Sequence, residues 1–340
     1  MTGVPPANWA VDVAATTTHP IADGVWALRL PSPWHHISHA NAYVIEDAEG
    51  IALIDTGSGG HPTALDALER ALEAVEWRLS DVHDLLITHY HTDHMGLAGT
   101  VHAASGCTIW GHPRHDVFFE VLERPDEVHA RRLAHARREG AGGTVLEACA
   151  STREEHEGAV PQPRPHRALA AGTRVPTGIG ELVVVETTGH CPSQVALWEP
   201  ARRMVFSADL LMRDFVSFCD VVEGEDVLGA FRASVERVAA LDAAVALPGH
   251  GRPITDVPAL IGRYREGLAA RMALVEATLD DEPRSTMDVA RRVFAADVPA
   301  SAVWHFLETC CYLEHLATLG RAVRDEALPG WRRAGAAAGR

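Results

Sequence analysis

Four side chains that can bind a metal ion lie within six residues of one another: His89, His91, Asp93 and His94. An apolar run at residues 85–87 precedes them, which is typical of a buried strand ending in a loop at a sheet edge. Imidazole nitrogens and carboxylate oxygens are ligands that zinc accepts. In an extended segment His89 and His91 share a face and can hold one ion. Asp93 and His94 follow as the chain turns, where they can reach a second ion.

The cluster resembles the His-x-His-x-Asp-His signature of the metallo-β-lactamase-fold superfamily. Four further segments resemble the other motifs of that superfamily, in the same order and over most of the chain. Five motifs in order are far more specific than any one of them. The resemblance implies an α/β fold, a four-layered αββα sandwich, with hydrolytic chemistry at a metal centre. The four segments are Asp55-Thr56-Gly57, Gly189-His190, Asp209 after the apolar run at 204–208, and Pro248-Gly249-His250-Gly251.

The same resemblance implies a dinuclear site and its ligands. Two divalent metal ions are expected, zinc in the first place, with manganese or iron as alternatives. Because one zinc ion already lowers the pKa of bound water to about 7, two ions favour a bridging hydroxide. Asp209 would bridge the ions, Asp93 would also pass a proton to the leaving group, and Asp55 would orient a ligand. The first site would contain His89, His91 and His190, and the second Asp93, His94 and His250.

Taken alone, the later ligands have simpler interpretations. His190 and His250 stand beside glycines and could be turn residues, and Asp209 could be a helix cap. In the company of the cluster at His89, metal binding becomes the favoured interpretation for all three.

Further candidate side chains flank these motifs. For the histidines the simpler interpretation is a polar loop, with contact to substrate as the alternative. Tyr90 is expected to point into the core. Arginines on a predicted helix could meet the phosphates of an acyl carrier, although a solvated helix face is the simpler interpretation. These residues are His35, His36 and His39 before Asn41, His112 and His115, and Arg131, Arg132, Arg137 and Arg138.

The composition is that of an ordinary globular protein, with 47% hydrophobic and 22% charged residues among 340. A formal net charge of −16 disfavours a nucleic-acid partner, which needs clustered Lys and Arg. Six cysteines without framework spacing suggest reduced thiols, and we expect a cytoplasmic protein. Neither a signal peptide nor an apolar run of membrane-spanning length is present.

Alternation of strand-like and helix-like segments predicts a layered α/β fold. Residues 1–20 are polar and are expected to be irregular. Predicted strands are residues 25–30, 42–45, 51–54, 85–88, 107–111, 182–186, 195–199, 204–207 and 243–247. Predicted helices are residues 65–79, 118–139, 227–241 and 259–279.

Three parts of the chain are predicted. Residues 1–256 form the catalytic domain, with a helical insert at about 112–168 that could lie over the metals. Residues 257–328 are helical and resemble the winged-helix-like extension of a lactamase-β-2-like, glyoxalase II-like group. The tail at 329–340 is expected to be disordered. Apolar positions of the insert could serve a homodimer or a cap over the protein's own core.

The leading functional hypothesis is a dinuclear hydrolase in which a bridging hydroxide attacks a thioester or related activated carbonyl of a small molecule, such as an acyl-CoA. A lactonase is the alternative within the same chemistry. From other classes, a phosphodiesterase or ribonuclease uses the same metals but needs a basic track, and a mononuclear iron oxygenase would consume oxygen. The turn Gly189-His190-Cys191-Pro192-Ser193 resembles the group's Gly-His-Thr-Pro-Gly, with Cys191 and Ser193 as departures.

Overall fold

Two β-sheets face each other and helices cover both outer faces. The computed structural model describes residues 17–32, 38–59, 63–152, 162–213, 221, 224–294, 302–325 and 330–335. One apolar cluster lies between the sheets and includes Ile45 and Phe206. Two others join an outer sheet face to helices, one around Leu68 and the other around Phe231. The predicted four-layered αββα sandwich is confirmed.

The first sheet contains seven strands among the described residues, and they follow chain order. They are β1 (Thr17–Ala22), β2 (Val25–Pro31), β3 (His39–Asp47), β4 (Gly50–Ile54), β5 (Val82–Leu86), β6 (Thr108–Gly111) and β7 (Arg167–Ala168). Neighbours from β1 to β4 are antiparallel, and those from β4 to β7 are parallel. Side chains alternate along β3, so Val44 faces the helices while Tyr43 and Ile45 face the second sheet.

The second sheet has five described strands. They are β8 (Arg174–Thr177), β9 (Gly180–Glu186), β10 (Val195–Glu199), β11 (Met204–Ala208) and β12 (Val245–Pro248). Their order is β12-β11-β10-β9-β8, antiparallel except for the parallel pair β11–β12. A separate hairpin pairs β13 (Ala322–Arg324) with β14 (Trp331–Arg333).

Ten α-helices lie in the described part of the chain. They are α1 (Ala64–Glu73), α2 (Thr92–Met95), α3 (Ala98–Ser105), α4 (Asp116–Glu123), α5 (Pro125–Arg138), α6 (Gly143–Ala150), α7 (Val227–Ala239), α8 (Val257–Ala277), α9 (Thr286–Phe294) and α10 (Ala302–Thr318). None of these helices combines the length and apolarity needed to cross a bilayer.

Two helix predictions are wrong in extent. The helix expected over residues 118–139 is two helices, because Pro125 begins α5 and Arg124 before it leaves helical geometry at φ −135° and ψ 54°. The helix expected over 65–79 ends at Glu73, and Glu76 adopts a left-handed φ of 65°. A third helix of the insert, α6, begins at Gly143.

Five strands lie where none was expected, and the short β7 and β8 after the insert are two of them. Strand β1 occupies part of the predicted irregular N-terminus, and its half-exposed side chains leave no apolar alternation to detect. Strand β13 lies in the segment at 257–328 that was predicted as helical. Strand β14 lies in the tail predicted as disordered, yet Trp331 is buried against the C-terminal helices. The expected disorder therefore does not hold for residues 331–333.

The C-terminal helices share a core with the second sheet. One cluster of buried residues runs from Val205 of β11 through Phe231 of α7 to Tyr312 of α10 and Trp331 of β14. An Asp226 carboxylate also accepts a hydrogen bond at 2.9 Å from Nδ1 of His315 on α10. The division of the chain at about residue 256 stays a prediction, and the shared core means that the two parts pack as one body.

A buried carboxylate ties the insert to the C-terminal part. Glu139, at the end of α5, accepts hydrogen bonds from Oγ1 of Thr286 at 2.5 Å and Nε1 of Trp331 at 3.0 Å, and it pairs with Nη1 of Arg324 at 2.5 Å. Burial alone would raise the pKa of Glu139, but the hydrogen bond from Thr286 and the charge of Arg324 outweigh it and hold the pKa below 4.5. These bonds therefore attach the insert, at the C-terminal end of α5, to the C-terminal part of the chain.

Replacing this carboxylate should destabilise the protein. Because Glu139→Gln removes the buried charge that pairs with Arg324 and leaves Arg324 its bond to the partly exposed Glu314, the free energy of unfolding at pH 7 should fall by about 2 kcal/mol. The folded-state pKa is depressed, so this stabilisation is complete above about pH 4.5 and is lost as pH falls through the folded-state pKa. Urea unfolding of both proteins across this range measures the difference.

The Glu276–Arg321 pair, whose side chains are 28% and 40% exposed and so reach solvent, supplies the control. Glu276→Gln should change the free energy of unfolding by less than about 1 kcal/mol, since exposed pairs contribute little. Equal effects of the two substitutions would contradict the role given to Glu139.

Candidate metal centre

The predicted ligands converge because they all follow strand ends at one edge of the sandwich. His89 and His91 come after β5, and helix α2 carries Asp93 and His94 on its first turns. Three loops supply the remaining ligands: His190 lies between β9 and β10, Asp209 follows β11, and His250 follows β12. All seven side chains are brought together, although they span residues 89 to 250 of the sequence.

Two groups of possible ligand atoms stand side by side. His89, His91 and His190 form one group, and Asp93, His94 and His250 form the other, with the ligand atoms of each group within 4.8 Å of one another. In the first group Nε2 of His190 lies 2.8 Å from Nδ1 of His91. In the second, Nε2 of His250 lies 3.4 Å from Oδ2 of Asp93.

Asp209 lies between the two groups. Its Oδ2 is 3.6 Å from Nε2 of His190 in the first group and 3.2 Å from Nε2 of His250 in the second. Its Oδ1 is 3.4 Å from Nε2 of His94. Burial alone would raise the pKa of Asp209, but the charges of His250 and His94 hold it well below its ordinary value. The carboxylate can therefore serve both groups at once.

Hydrogen bonding in the second group calls for a cation. Nδ1 of His94 bonds the Asp55 carboxylate at 2.9 Å, and Nδ1 of His250 bonds the carbonyl of His39 at 2.7 Å. These acceptors place a proton on each Nδ1, so Nε2 is the nitrogen of each ring that is left to bind an ion, and the two Nε2 atoms face each other at 3.3 Å. Positive charge between the two atoms removes the repulsion of their lone pairs, and either a proton or a divalent ion can supply it.

Two buried atoms without partners point the same way. Among the described residues, Nε2 of His89 and Oδ1 of Asp209 have no hydrogen-bond partner, although both side chains are buried. A buried polar atom without a partner costs free energy unless an ion or water completes it. Burial lowers the pKa of His250, but the charge of Asp209 outweighs this and raises it to about 10. The donor set and its negative potential therefore fit divalent metal ions.

One carboxylate orients two of the histidines. Asp55 accepts hydrogen bonds from Nδ1 of His94 at 2.9 Å and from Oγ1 of Thr88 at 2.8 Å. The Thr88 hydroxyl in turn lies 3.0 Å from Nδ1 of His89, which donates to it. Asp55 thus fixes a ligand in each group, which matches the expected orienting role. Thr88 was not singled out in the sequence, where a Thr before a His carries no distinctive signal.

Replacing the hydroxyl of Thr88 should weaken metal binding. Thr88→Val keeps the shape but removes the acceptor for Nδ1 of His89, so the affinity for the first ion should fall about 10-fold or more. Thr88→Ser retains the hydroxyl and should bind as the wild type does. Competition with a chromophoric chelator measures the metal affinity of both variants. Equal affinities of Thr88→Val and Thr88→Ser would contradict the role of Thr88 in orienting His89.

Glycines allow the loops to approach this closely. A Cβ on Gly249 would overlap Oδ1 of Asp209 and lie 2.6 Å from Cε1 of His94. Gly189 has a φ of 119°, and a Cβ there would overlap the backbone of Phe231 on α7. Gly189 and Gly249 each precede a predicted ligand, and neither position has room for a side chain.

The turn after His190 contributes two further contacts that the sequence analysis missed. Oγ of Ser193 accepts a hydrogen bond at 3.2 Å from the backbone N–H of Tyr90, between the ligands His89 and His91. Oε1 of Gln194 accepts one at 3.2 Å from the backbone N–H of Asp209. Ser193 stands at a departure from the glycine of the resembling group, and that departure was its only signal in the sequence.

The remaining candidate residues from the sequence analysis lie in different surroundings. His39 lies beside the loop of His250, and Tyr90 is buried in the core as expected. His112 accepts from the backbone of Arg114, and His115 is buried. His35 and His36 lie outside the described residues.

The proposed phosphate-binding arginines have protein partners. Both carboxylate oxygens of Glu120 bond Arg131, and the carbonyl of Ser151 accepts from Arg132. Arg138 pairs with Glu139 at 3.7 Å. These contacts favour a solvated helix face over a carrier-binding site.

Known proteins with similar sequence or structure share this architecture. The family model of the metallo-beta-lactamase superfamily matches residues 38–250. The probable metallo-hydrolase YqjP of Bacillus subtilis is 26% identical over 304 residues, covering 86% of this chain and 92% of that protein. A hydroxyacylglutathione hydrolase of Fuscovulum blasticum is 27% identical over 173 residues, covering 50% of this chain and 48% of that protein.

Solved structures agree with these matches. A metallo-beta-lactamase family protein from Thermus thermophilus superposes with a TM-score of 0.79 at 25% identity, covering 92% of this chain and 99% of that one. The family match extends over more than half of the 340 residues and includes every predicted ligand. The chain therefore belongs to the metallo-beta-lactamase superfamily.

Proposed function

We propose that this metal-dependent hydrolase is dinuclear and cleaves a thioester or related activated carbonyl of a small molecule. The observation that carries the proposal is the position of Asp209 between two complete ligand groups. The catalytic unit is residues 1–256, and residues 257–328 form the helical part that braces its insert. Zinc suits the donor set of five imidazoles and two carboxylates.

Each side chain of the site has a role in this proposal. His89, His91 and His190 would hold one ion, Asp93, His94 and His250 would hold the other, and Asp209 could serve both. Divalent ions held there would supply Lewis acidity for the activation of water and the polarisation of a carbonyl oxygen.

The chain also supplies orientation and a proton carrier. Asp55 holds the rings of His94 and, through Thr88, of His89. Asp93 Oδ2 lies 3.4 Å from Nε2 of His250, at the edge of the site, where the carboxylate can take a proton and return it to the leaving group. No protein nucleophile is needed, since water activated at the metal ions would be the nucleophile. Asp93 and Asp209 are the proposed catalytic carboxylates.

A thioester is favoured by two observations. The relative from Fuscovulum blasticum is named for hydroxyacylglutathione, which is itself a thioester, and it matches half of this chain. The net charge of −16 opposes a polyanionic substrate such as RNA.

Hydrolysis assays with three probes test the proposal. The metal-loaded protein should cleave an acyl thioester, and pre-treatment with a chelator should abolish the cleavage. Turnover of a lactone alone would transfer the proposal to lactonases, and turnover of a bis-aryl phosphodiester alone would transfer it to phosphodiesterases. One iron per chain with oxygen uptake and no hydrolysis would overturn it.

A further inference from the structure

Alternate residues of strand β3 contact the loop that carries His250. Asn41 donates from Nδ2 to the carbonyls of Pro248 and Gly251, each at 2.9 Å, and from its backbone N–H to the carbonyl of Gly249 at 2.7 Å. The hydroxyl of Tyr43 donates to the Pro248 carbonyl at 2.6 Å. Because side chains on a strand alternate, His39, Asn41 and Tyr43 share one face. That face meets the loop.

His39 also bonds this loop, once through its backbone carbonyl and once through its ring. Its backbone carbonyl accepts a hydrogen bond at 2.7 Å from Nδ1 of His250. Its ring Nε2 accepts one at 3.0 Å from the backbone N–H of Gly251. The first of these bonds fixes the proton of His250 on Nδ1, so Nε2 is the nitrogen that faces Asp93 and Asp209.

The loop depends on these external bonds for its shape. His250 stands between Gly249 and Gly251, and Gly251 adopts a left-handed φ of 81°. Glycines impose little conformational preference of their own, so their partners must determine where the ring lies. On its other side the loop has one backbone bond, from Gly249 N–H to the carbonyl of Ala208 at 2.8 Å. Most of the hydrogen bonds described for this loop therefore come from β3.

The first ligand group has other supports. His89 is oriented through Thr88, and the backbone between His89 and His91 is held by Ser193. Among the hydrogen bonds described, the one between β3 and a ligand goes to His250, and β3 also packs against α2, which carries Asp93 and His94 of the same second group. The two ion sites thus depend on different parts of the scaffold.

We propose that His39, Asn41 and Tyr43 are positioning residues that hold His250 for the second metal ion, so that β3 sets the occupancy of that site selectively. This inference rests on the proposed dinuclear function. It predicts a mononuclear form when the β3 contacts are removed, with the first site still filled.

The test measures the affinities for the first and the second zinc ion separately, by competition with a chromophoric chelator. Elemental analysis gives the number of ions bound per chain. Asn41→Ala removes both side-chain bonds, so the second ion should bind about 10- to 100-fold more weakly while the first binds unchanged. Tyr43→Phe removes one hydroxyl only and should give a smaller loss in the same step. It carries the same test if Asn41→Ala fails to fold.

Two further variants separate the possible failures. Thr309→Val removes another buried bond to a backbone carbonyl, from Oγ1 of Thr309 to His305 at 2.6 Å, away from the site, and should leave both affinities unchanged. His250→Ala should lose the second ion. If His250→Ala loses it but the Asn41 and Tyr43 variants bind both ions as the wild type does, or lose both equally, the positioning role is overturned. If His250→Ala retains both ions, His250 is not a ligand and the positioning role is overturned, whereas a wild type that binds only one ion means that the dinuclear function itself fails.

Discussion

Asp209→Asn is expected to lower hydrolysis of a thioester probe by more than about 100-fold, because even outer partners of metal ligands contribute 10- to 100-fold. The substitution keeps the shape of the side chain but removes the charge that both ligand groups share. Asp209 lies within 3.6 Å of a ligand nitrogen in each group. Steady-state kinetics at saturating zinc, with metal content measured on the same samples, gives the result.

An exposed aspartate provides the matched control. The side chain of Asp242 is 82% exposed and pairs only with Arg203 among the contacts described. Asp242→Asn makes the same chemical change and should leave turnover at the wild-type level. Turnover by Asp209→Asn within about threefold of the wild type would contradict the bridging role.

Gly249→Ala is expected to damage the site through volume alone. The added Cβ would overlap Oδ1 of Asp209 and press on His94, and the alternative is a shift of the loop that displaces His250. Overpacking of this kind costs about 1–3 kcal/mol of folding free energy. The variant should therefore unfold at lower urea concentration and bind the second ion more weakly.

A glycine in open space isolates the steric effect. Gly267 lies in helix α8 with no atom within 4 Å of an added Cβ. Gly267→Ala should stabilise the protein by about 0.5–1 kcal/mol, since alanine favours a helix more than glycine does. If Gly249→Ala behaved like Gly267→Ala, the close approach of the loop to Asp209 would be wrong.

Much of the candidate site could be predicted because its residues come in short motifs after apolar strands. The β5 strand and the dense cluster after it indicated four positions, and the motif order supplied His190, Asp209 and His250. The role of Asp55 as an orienting group was implied by the resemblance of Asp55-Thr56-Gly57 to the motif of the superfamily. Their assignment as metal ligands stays a prediction, although their convergence is now a geometric fact.

The supporting contacts could not be predicted because their partners are far apart in the chain. Asn41 and Gly251 are 210 residues apart, and Glu139 and Trp331 are 192 residues apart. An asparagine in a strand or a glutamate after a helix has no local pattern that reveals such a partner. Strand β1 was missed for a different reason: its side chains show no apolar alternation, and pairing with the neighbouring β2 makes it a strand.

The most direct test of the central claim is elemental analysis of the purified wild-type protein beside Asp209→Asn. The account predicts two divalent ions per chain in the wild type and fewer in the variant, with thioester turnover following occupancy. One ion per chain in both proteins, with turnover unchanged by the substitution, would contradict it.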